Sequence, residues 1–441
     1  MLVSAIAACA LLHPSHSTAF IRREHDGCKG RGAGIGQWSH FNMRILHTAD
    51  WHLGRSLGGF ELLDLVQRPA LEEVVRIAKE SRPDAIVIAG DLYDRSVPPE
   101  SAMHLFEETV LRLGEIAPVL AIAGNHDGAG RVGHFATILR RNGIHIFARE
   151  FGAVPSVSLH DNHGEVRFHL MPFAMPAETR EAFAQSGTED DRSMSSHEAA
   201  TAARIKTIEL SPSARHVLVG HLFTARGSGD DGNESDSERD ISVGGSSIVS
   251  PSNFDGFAYV ALGHLHKPHD VVDGRIRYAG SIARYSFSEE SHAKSVSLIE
   301  IDAGGKSTVE RIEIAQPIGM RTLHGEFNKL LAAANSDSQK AQDFVRVQLT
   351  DASPQFEAFR RLREHYPYLI ELNYERSASG GVRSPAADQE MRRDPMAMFE
   401  AYCTQRVGPD VLTPAMKSLA QKMMEAARDA RGRGEVSGAQ A

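Results

Sequence analysis

MRILHTADWHLG, residues 43–54, is the stretch from which the rest of the chain is read. A short apolar run, Ile45 and Leu46, leads into Asp50-Trp51-His52. A carboxylate and an imidazole two residues apart on an extended or looping chain can turn to one point. Such a pair makes half a metal site. D-x-H also occurs by chance in many chains, so its weight depends on whether the chain later supplies the missing ligands.

Working outward, the pattern is strand, loop, helix, strand. Arg44–His47 reads as the first strand. Leu62–Glu80 has apolar residues at helical spacing, with Pro69 a break or restart. Ala85–Ala89 (AIVIA) is a continuous apolar run between Pro83 and Gly90, the pattern of a strand covered on both faces. It runs into Gly90-Asp91-Leu92-Tyr93-Asp94. A helix over Ser101–Leu113 precedes a third buried strand, Pro118–Ala123, which delivers Gly124-Asn125-His126-Asp127. Arg131–Asn142 reads as a short helix, Ile144–Phe147 as a strand and Val157–Met171 as a hairpin turning at Asp161–Gly164. A helix is expected over His197–Ile208. His216–Gly220 is a fourth buried strand and delivers His221. Phe257–Gly263 is a fifth and delivers His264-Leu265-His266. Ile276–Tyr278 and Ser295–Ile301 read as further strands. Strands alternating with helices predict an α/β fold of stacked layers.

Past about residue 318 the pattern changes to a small α+β unit. Its strands are expected at Thr322–Glu326, Phe344–Leu349 and Tyr368–Tyr374. Its helices are expected at Phe327–Ala333 and Pro354–His365. Arg376–Ala387 is rich in Ser, Gly and Pro and reads as a linker, and Asp394–Ala430 is helical, with a break at Gly408-Pro409. The acidic insertion Arg226–Asp240 reads as a surface loop.

Five apolar strands thus end in Asp50/His52, Asp91, Asn125/His126, His221 and His264/His266. Ligand sites of α/β sheets gather at the carboxyl ends of strands, so these groups are expected to meet. Carboxylate, amide and imidazole donors suit Mn²⁺, Zn²⁺ or Fe²⁺ better than a cysteine-rich structural zinc. Asp91 is the natural bridge, because one carboxylate can serve two ions. A pair of ions ~3.5–4 Å apart can hold both oxygens of a phosphoryl displacement.

In this order, D-x-H, G-D-x-x-D, G-N-H-D, G-H and G-H-x-H resemble the calcineurin-like metallophosphoesterases. That resemblance implies a four-layer α-β-β-α sandwich. It implies a first metal on Asp50, His52, Asp91 and His266, and a second on Asp91, Asn125, His221 and His264. His126 would be the catalytic histidine rather than a ligand, with Asp94 and Asp127 orienting imidazoles or loops. Within that superfamily, MRILHTADWHLGR, GDLYDR, the SDSER and VGG stretches and GHLHKPH resemble the SbcD nuclease family over residues 43 to about 376, and more loosely DPMAMFEAY at Asp394–Tyr402. The family implies two Mn²⁺ ions and 3′→5′ exonuclease and endonuclease activity on DNA. It also implies a homodimer within a heterotetramer containing the coiled-coil ATPase SbcC. On this reading the chain comprises an extension (1–42), a nuclease domain (43–318), a capping domain (319–376), a linker (377–393) and a C-terminal SbcC-binding helical segment (394–441).

Composition bounds these expectations. With 441 residues, two folded units are the natural prior. The formal charge of −9 does not advertise a nucleic-acid partner, although bound cations or a local basic surface reverse the sign locally. Cys9, Cys28 and Cys403 have no metal-type spacing, and a reducing, cytoplasmic and nucleoid-associated setting is expected. Leu2–Leu12 resembles the apolar core of a signal peptide but lacks a basic residue before it, so residues 1–42 read as an appended or mis-started extension, with Met43 the alternative start. No stretch approaches ~20 apolar residues, so no membrane span is expected. Arg55 reads equally as a phosphate contact or a solvated cation. The chain has 22 histidines, so those outside the motifs, such as His104, His134, His145, His169 and His216, read as structural or surface residues. Two rivals to the nuclease reading stand: a phosphoesterase of small nucleotides, and a scaffold that anchors an ATPase.

Overall fold

The computed structural model describes residues 42–134, 136–187, 194–225, 236, 238, 248–336, 342–375, 396, 399–400, 413–414 and 416–423. The expected extension, most of the acidic insertion, the linker and most of the C-terminal segment lie outside the described residues. The chain divides into two compact units between Thr322 and Leu323, with Gln342–Phe344 counted in the first.

The first unit is an α/β sandwich. In chain order its strands are β1 (Met43–Thr48), β2 (Ser56–Leu57), β3 (Phe60–Glu61), β4 (Ala85–Ala89), β5 (Val119–Ile122), β6 (Ile144–Phe147), β7 (Ser156–Asp161), β8 (Gly164–Met171), β9 (Arg215–His221), β10 (Tyr259–Gly263), β11 (His269–Val272), β12 (Ile276–Tyr278), β13 (Ser295–Ile301) and β14 (Ser307–Glu313). One six-stranded sheet has the order β14-β13-β1-β4-β5-β6, the other β11-β12-β10-β9-β8-β7. Within each, the four strands that carry or flank the polar ends are parallel, β1-β4-β5-β6 and β12-β10-β9-β8; antiparallel strands close every edge but one, where parallel β6 is the last strand. The sheets share a core of Ile45, Val87, Leu120, Phe168, Val219 and Ala261, all wholly buried. This explains why AIVIA has no polar alternation: its other face is covered as well.

The helix Arg68–Ser81 buries Leu71, Val74, Val75 and Ala78, which stand at the helical spacing expected of this stretch. Pro69 sits in its first turn, where a missing N–H costs no hydrogen bond. A single wide turn, Leu63–Gln67, precedes it, so the expected Leu62–Glu80 helix is two pieces. The second helix spans Glu100–Gly114 and buries Ala102, Leu105, Phe106 and Val110.

Several expectations are corrected. Arg131–Asn142 is not one helix but the one-turn pieces Ala129–Val132 and Ala136–Leu139 and a tight turn at Arg140–Asn142, with Gly133 closing the first. The His197 helix stops at Ile205. Helix Pro176–Gln185 was not anticipated, nor were β11 and β14. β14 is an edge strand with a mostly exposed, charged sequence, so it lacks the apolar signature of the central strands.

The second unit is built on a three-stranded sheet of β15 (Met320–Gly325), β16 (Phe344–Leu349) and β17 (Leu369–Tyr374) in that order. Helices Phe327–Ala334 and Ala358–Arg363 pack on it around Phe327, Val345, Val347, Leu362 and Tyr366. The second helix is shorter than Pro354–His365, because Glu357 before it takes a left-handed conformation, φ 47°. Among the described residues no helix is long and apolar enough to cross a membrane.

Candidate metal centre

The five polar strand ends of the first unit come together. The loop after β1 runs beside the loop after β4: Asp50 N donates to Gly90 O (3.1 Å), His52 N to Asp91 O (3.0 Å) and Leu53 N to Leu92 O (3.1 Å). Trp51 turns away and is buried, its ring edge against Phe106 and its Nε1 donating to Thr48 Oγ1. Asp50 and His52 therefore face the cluster together. From the other side Gln67 Nε2 donates to Trp51 O (3.1 Å) and His52 O (2.7 Å), while its Oε1 accepts from Gly54 N.

Only six non-glycine residues among those described have positive φ, and four belong to this centre: Asp50 (54°), His52 (45°), Asp91 (49°) and His264 (109°). Such backbone costs of order 1–3 kcal/mol per residue, and it persists only where surrounding contacts fix it. The glycines beside these residues are required by space. A Cβ at Gly124 would lie 2.2 Å from Asp91 Oδ1, and one at Gly90 would lie 2.3 Å from His221 Nδ1.

Asp91 lies at the middle. Its Oδ2 is 3.5 Å from His52 Nε2 and 3.4 Å from His221 Nε2, and its Oδ1 accepts from His126 N at 2.9 Å. His221 donates from Nδ1 to Ala89 O (2.9 Å), which in the neutral ring leaves Nε2 a bare lone pair 2.9 Å from Asn125 Oδ1. His52 Nε2 and His266 Nε2 face each other at 3.0 Å. His266 Nδ1 is already committed to the Glu289 carboxylate at 3.0 Å, so its Nε2 also lacks a hydrogen. Asp50 Oδ1 accepts from His264 N (2.9 Å), whereas its buried Oδ2 has no hydrogen-bond partner. The His264 ring stands edge-on to His221 with centroids 5.5 Å apart. In the neutral rings these lone pairs converge with the unpartnered Asp50 Oδ2 and repel unless a proton or a cation lies between them. The donor set, two carboxylates, an amide and four imidazoles, fits a divalent-metal centre. Two triplets bring ligand atoms within 4.8 Å of one another: Asp50, His52 and Asp91, and His52, Asp94 and His126.

Electrostatics point the same way. Burial raises the Asp50 carboxyl well above its usual range, and Asp91 adds to that rise. Burial acts likewise on Asp91, but His221 and His52 overcome it and hold the group well below the usual range. Burial would lower His221, yet Asp91 and Asp50 push it up to about 9. A buried anionic pocket draws in positive charge, and a proton on His221 supplies some of it.

The remaining candidates take outer positions. His126 donates from Nδ1 to Asp94 O (2.8 Å), and its ring stands edge-on to His52, centroids 4.7 Å apart. Asp94 Oδ1 pairs with Arg55 Nη1 (3.0 Å) and lies 3.8 Å from His52 Nδ1. The Arg55 guanidinium also stacks over Tyr285, 5.3 Å from the ring centroid. Asp127 touches no imidazole. It ties two loops together, accepting from Leu92 N, Tyr93 N and Gly124 N. Arg55, Asp94, Arg95, Ser96, Asn125, His126 and Asp127 line an open cleft of roughly 390 Å³. Sequence reading passed over Gln67, Tyr285, Glu289 and Lys294, all buried against this centre, because single polar residues outside a motif carry no signal of their position.

Carboxylates, an amide and imidazoles gathered at the strand ends of an α/β sandwich define a metal-dependent hydrolase. The model of the calcineurin-like phosphoesterase family matches residues 43–268, and the chain belongs to that family; it is a metal-dependent phosphoester hydrolase. A second family model, SbcD_C, described as a type 5 capsule protein repressor C-terminal domain, matches residues 317–407. Similar solved structures include protein TT1561 of Thermus thermophilus, with 13% identity over 62% of this chain and 100% of that one, TM-score 0.36. A dimetal phosphatase from Danio rerio has 11% identity over 62% and 99%, TM-score 0.35. The E. coli phosphoesterase Yfce has 16% identity over 62% and 100%, TM-score 0.24.

Proposed function

We propose that the chain is an SbcD-type nuclease subunit that hydrolyses DNA phosphodiesters with two Mn²⁺ ions, as a 3′→5′ exonuclease and an endonuclease. One observation carries the reading: a phosphoesterase match and an SbcD_C match follow each other on one chain, at 43–268 and 317–407. Asp50, His52, Asp91 and His266 would hold one ion, and Asp91, Asn125, His221 and His264 the other. Bound there, divalent cations supply the Lewis-acid charge that a phosphodiester needs as negative charge develops on it.

The protein's own groups do the rest. With Nδ1 donating to Asp94 O, His126 can stabilise or protonate the departing sugar oxygen only as the imidazolium, whose Nε2–H is the donor left to face it. Asp127 holds the His126 loop against the Asp91 loop, so the distance between the histidine and the bridging carboxylate is set by backbone. Arg55 and Arg95 place positive charge on the cleft wall, suited to phosphates beside the scissile one. The SbcD_C match supports reading residues 319–376 as a capping domain and 394–441 as the segment that binds a coiled-coil SbcC-type ATPase, in a homodimer within a heterotetramer. A net charge of −9 supports weak DNA affinity for the chain alone, with the ATPase helping to grip the duplex in the cytoplasm, at the nucleoid.

The test is the purified chain with Mn²⁺ and end-labelled duplex DNA. Release of nucleotides from DNA ends supports the reading. Cleavage of a nucleotide monoester with DNA left intact would overturn it in favour of a small-substrate phosphoesterase, and a metal-loaded protein inert on both would leave a scaffold.

A further inference from the structure

Behind the centre lies a buried ion pair that the chemistry above does not use. Glu289, at the end of the tight turn Phe287–Glu289, and Lys294, one residue before β13, are 0% and 1% exposed. Lys294 Nζ donates to three acceptors: Glu289 Oε2, Ser281 Oγ (2.8 Å) and His266 O (3.0 Å). An ammonium has three hydrogens, so this cage uses all of them. Glu289 Oε1 in turn accepts from His266 Nδ1 at 3.0 Å. The pair therefore grips one histidine at both its ring and its carbonyl. The amide of His266 donates to Glu238 Oε1 (2.6 Å), and Ser281 N donates to the same carbonyl as Lys294 (3.2 Å).

A buried ion pair is weak evidence for stability, because desolvating two charges offsets most of their attraction. Replacing such a pair by apolar residues of similar size is often neutral or stabilising. What an apolar pair cannot do is hold an imidazole in one tautomer. We propose that Glu289 and Lys294 are positioning residues for the metal centre: Glu289 takes the Nδ1 hydrogen of His266, fixing Nε2 as a bare donor toward the metal, and Lys294 fixes Glu289 and the His266 backbone. A carboxylate behind a metal-binding histidine typically changes metal affinity 10–100-fold. His52, by contrast, has no hydrogen-bond partner at its buried Nδ1, so of the two facing imidazoles only His266 is locked.

The inference rests on the two-metal reading, and the experiment separates the two. Calorimetric Mn²⁺ titration of metal-stripped protein is run on the parent, on Glu289→Gln and on the double variant Glu289→Leu/Lys294→Met, with thermal unfolding of each. The double variant removes both charges, so no orphan charge is buried. We expect it to melt within a few degrees of the parent, and to bind one Mn²⁺ equivalent as the parent does and the other about 10–100-fold more weakly. Glu289→Gln keeps an acceptor for Nδ1 and should lose less, which gives a ranking that a merely structural role would not produce. If the double variant fails to fold, the Gln variant decides: unchanged Mn²⁺ affinity overturns the inference, and weakened affinity at one equivalent supports it. Parent-like affinity at both equivalents in a folded double variant overturns the inference and leaves the two-metal reading standing. A parent that binds no Mn²⁺ overturns both.

Discussion

Gly124→Ala tests whether the centre depends on close packing of backbone rather than on its ligands alone. The added Cβ would lie 2.2 Å from Asp91 Oδ1 and 2.4 Å from Asp91 N. Real Cβ contacts do not fall below 3.0 Å, so Asp91 or the Gly124 loop must move by roughly 0.8 Å, the difference between 3.0 and 2.2 Å. Asp91 cannot yield easily, because His126 N donates to its carboxylate and its carbonyl accepts from His52 N. Overpacking of this kind costs about 1–3 kcal/mol in stability. A displacement of about 1 Å at a reacting centre costs about 10²-fold in rate. We therefore expect a folded protein whose Mn²⁺-dependent hydrolysis of bis(p-nitrophenyl) phosphate falls about 10²-fold, with weakened Mn²⁺ binding. Gly130→Ala, where a Cβ meets nothing within 4 Å, is the control and should leave both unchanged. A Gly124→Ala protein with parental rate and Mn²⁺ affinity would refute the reasoning, because the steric contact on Asp91 would then be of no consequence.

His126→Ala should keep Mn²⁺ affinity within a few-fold while turnover drops about 10²–10⁴-fold; full turnover in the metal-loaded variant would remove the histidine from the chemistry. Mn²⁺ should raise the melting temperature of metal-stripped protein, by about 2.7 kcal/mol of added stability at a hundred times the dissociation constant, and an unmoved melting curve would deny a resident metal. His145 is buried with no partner at either ring nitrogen, and burial, aided by Arg140, lowers its pKa to about 4. The unfolded chain takes up that proton near pH 6.5, so the stability that a neutral His145 contributes is present above pH 6.5 and is lost as the pH falls toward 4. Urea unfolding at pH 7, 6 and 5 should show His145→Leu with a shallower loss than the parent, by up to about 1.4 kcal/mol per pH unit; equal slopes would contradict it.

The sandwich was legible wherever a strand is covered on both faces. Ala85–Ala89 and Val119–Ile122 fall where their apolar runs place them, since burial on two faces leaves no room for polar alternation. β14 and the helix Pro176–Gln185 were not legible, because an edge strand and a half-exposed helix tolerate charges throughout. For the centre, the order of strand-end motifs was enough to gather Asp50, His52, Asp91, Asn125, His221, His264 and His266 in one place. It gave no sign of Glu289 and Lys294, whose position depends on how β13 returns beside β1 in the finished sheet. Nor did it reveal the contribution of Gln67, which reaches the DWHLG loop from a turn thirteen residues beyond Gly54.

The left-handed backbone at Asp50, His52 and Asp91 bears on how inactive forms of this protein are best made. Alanine at φ near 50° is itself costly, by roughly 1–2 kcal/mol, so an alanine exchange at these positions combines loss of the side chain with backbone strain in the loop. Asparagine enters this conformation readily. Asp91→Asn and Asp50→Asn, and even His52→Asn, would take away charge or a ring nitrogen while leaving the chain path intact. For trapping a bound substrate, asparagine is thus the better tool at these three residues, and alanine is better kept for His126, whose φ is not positive.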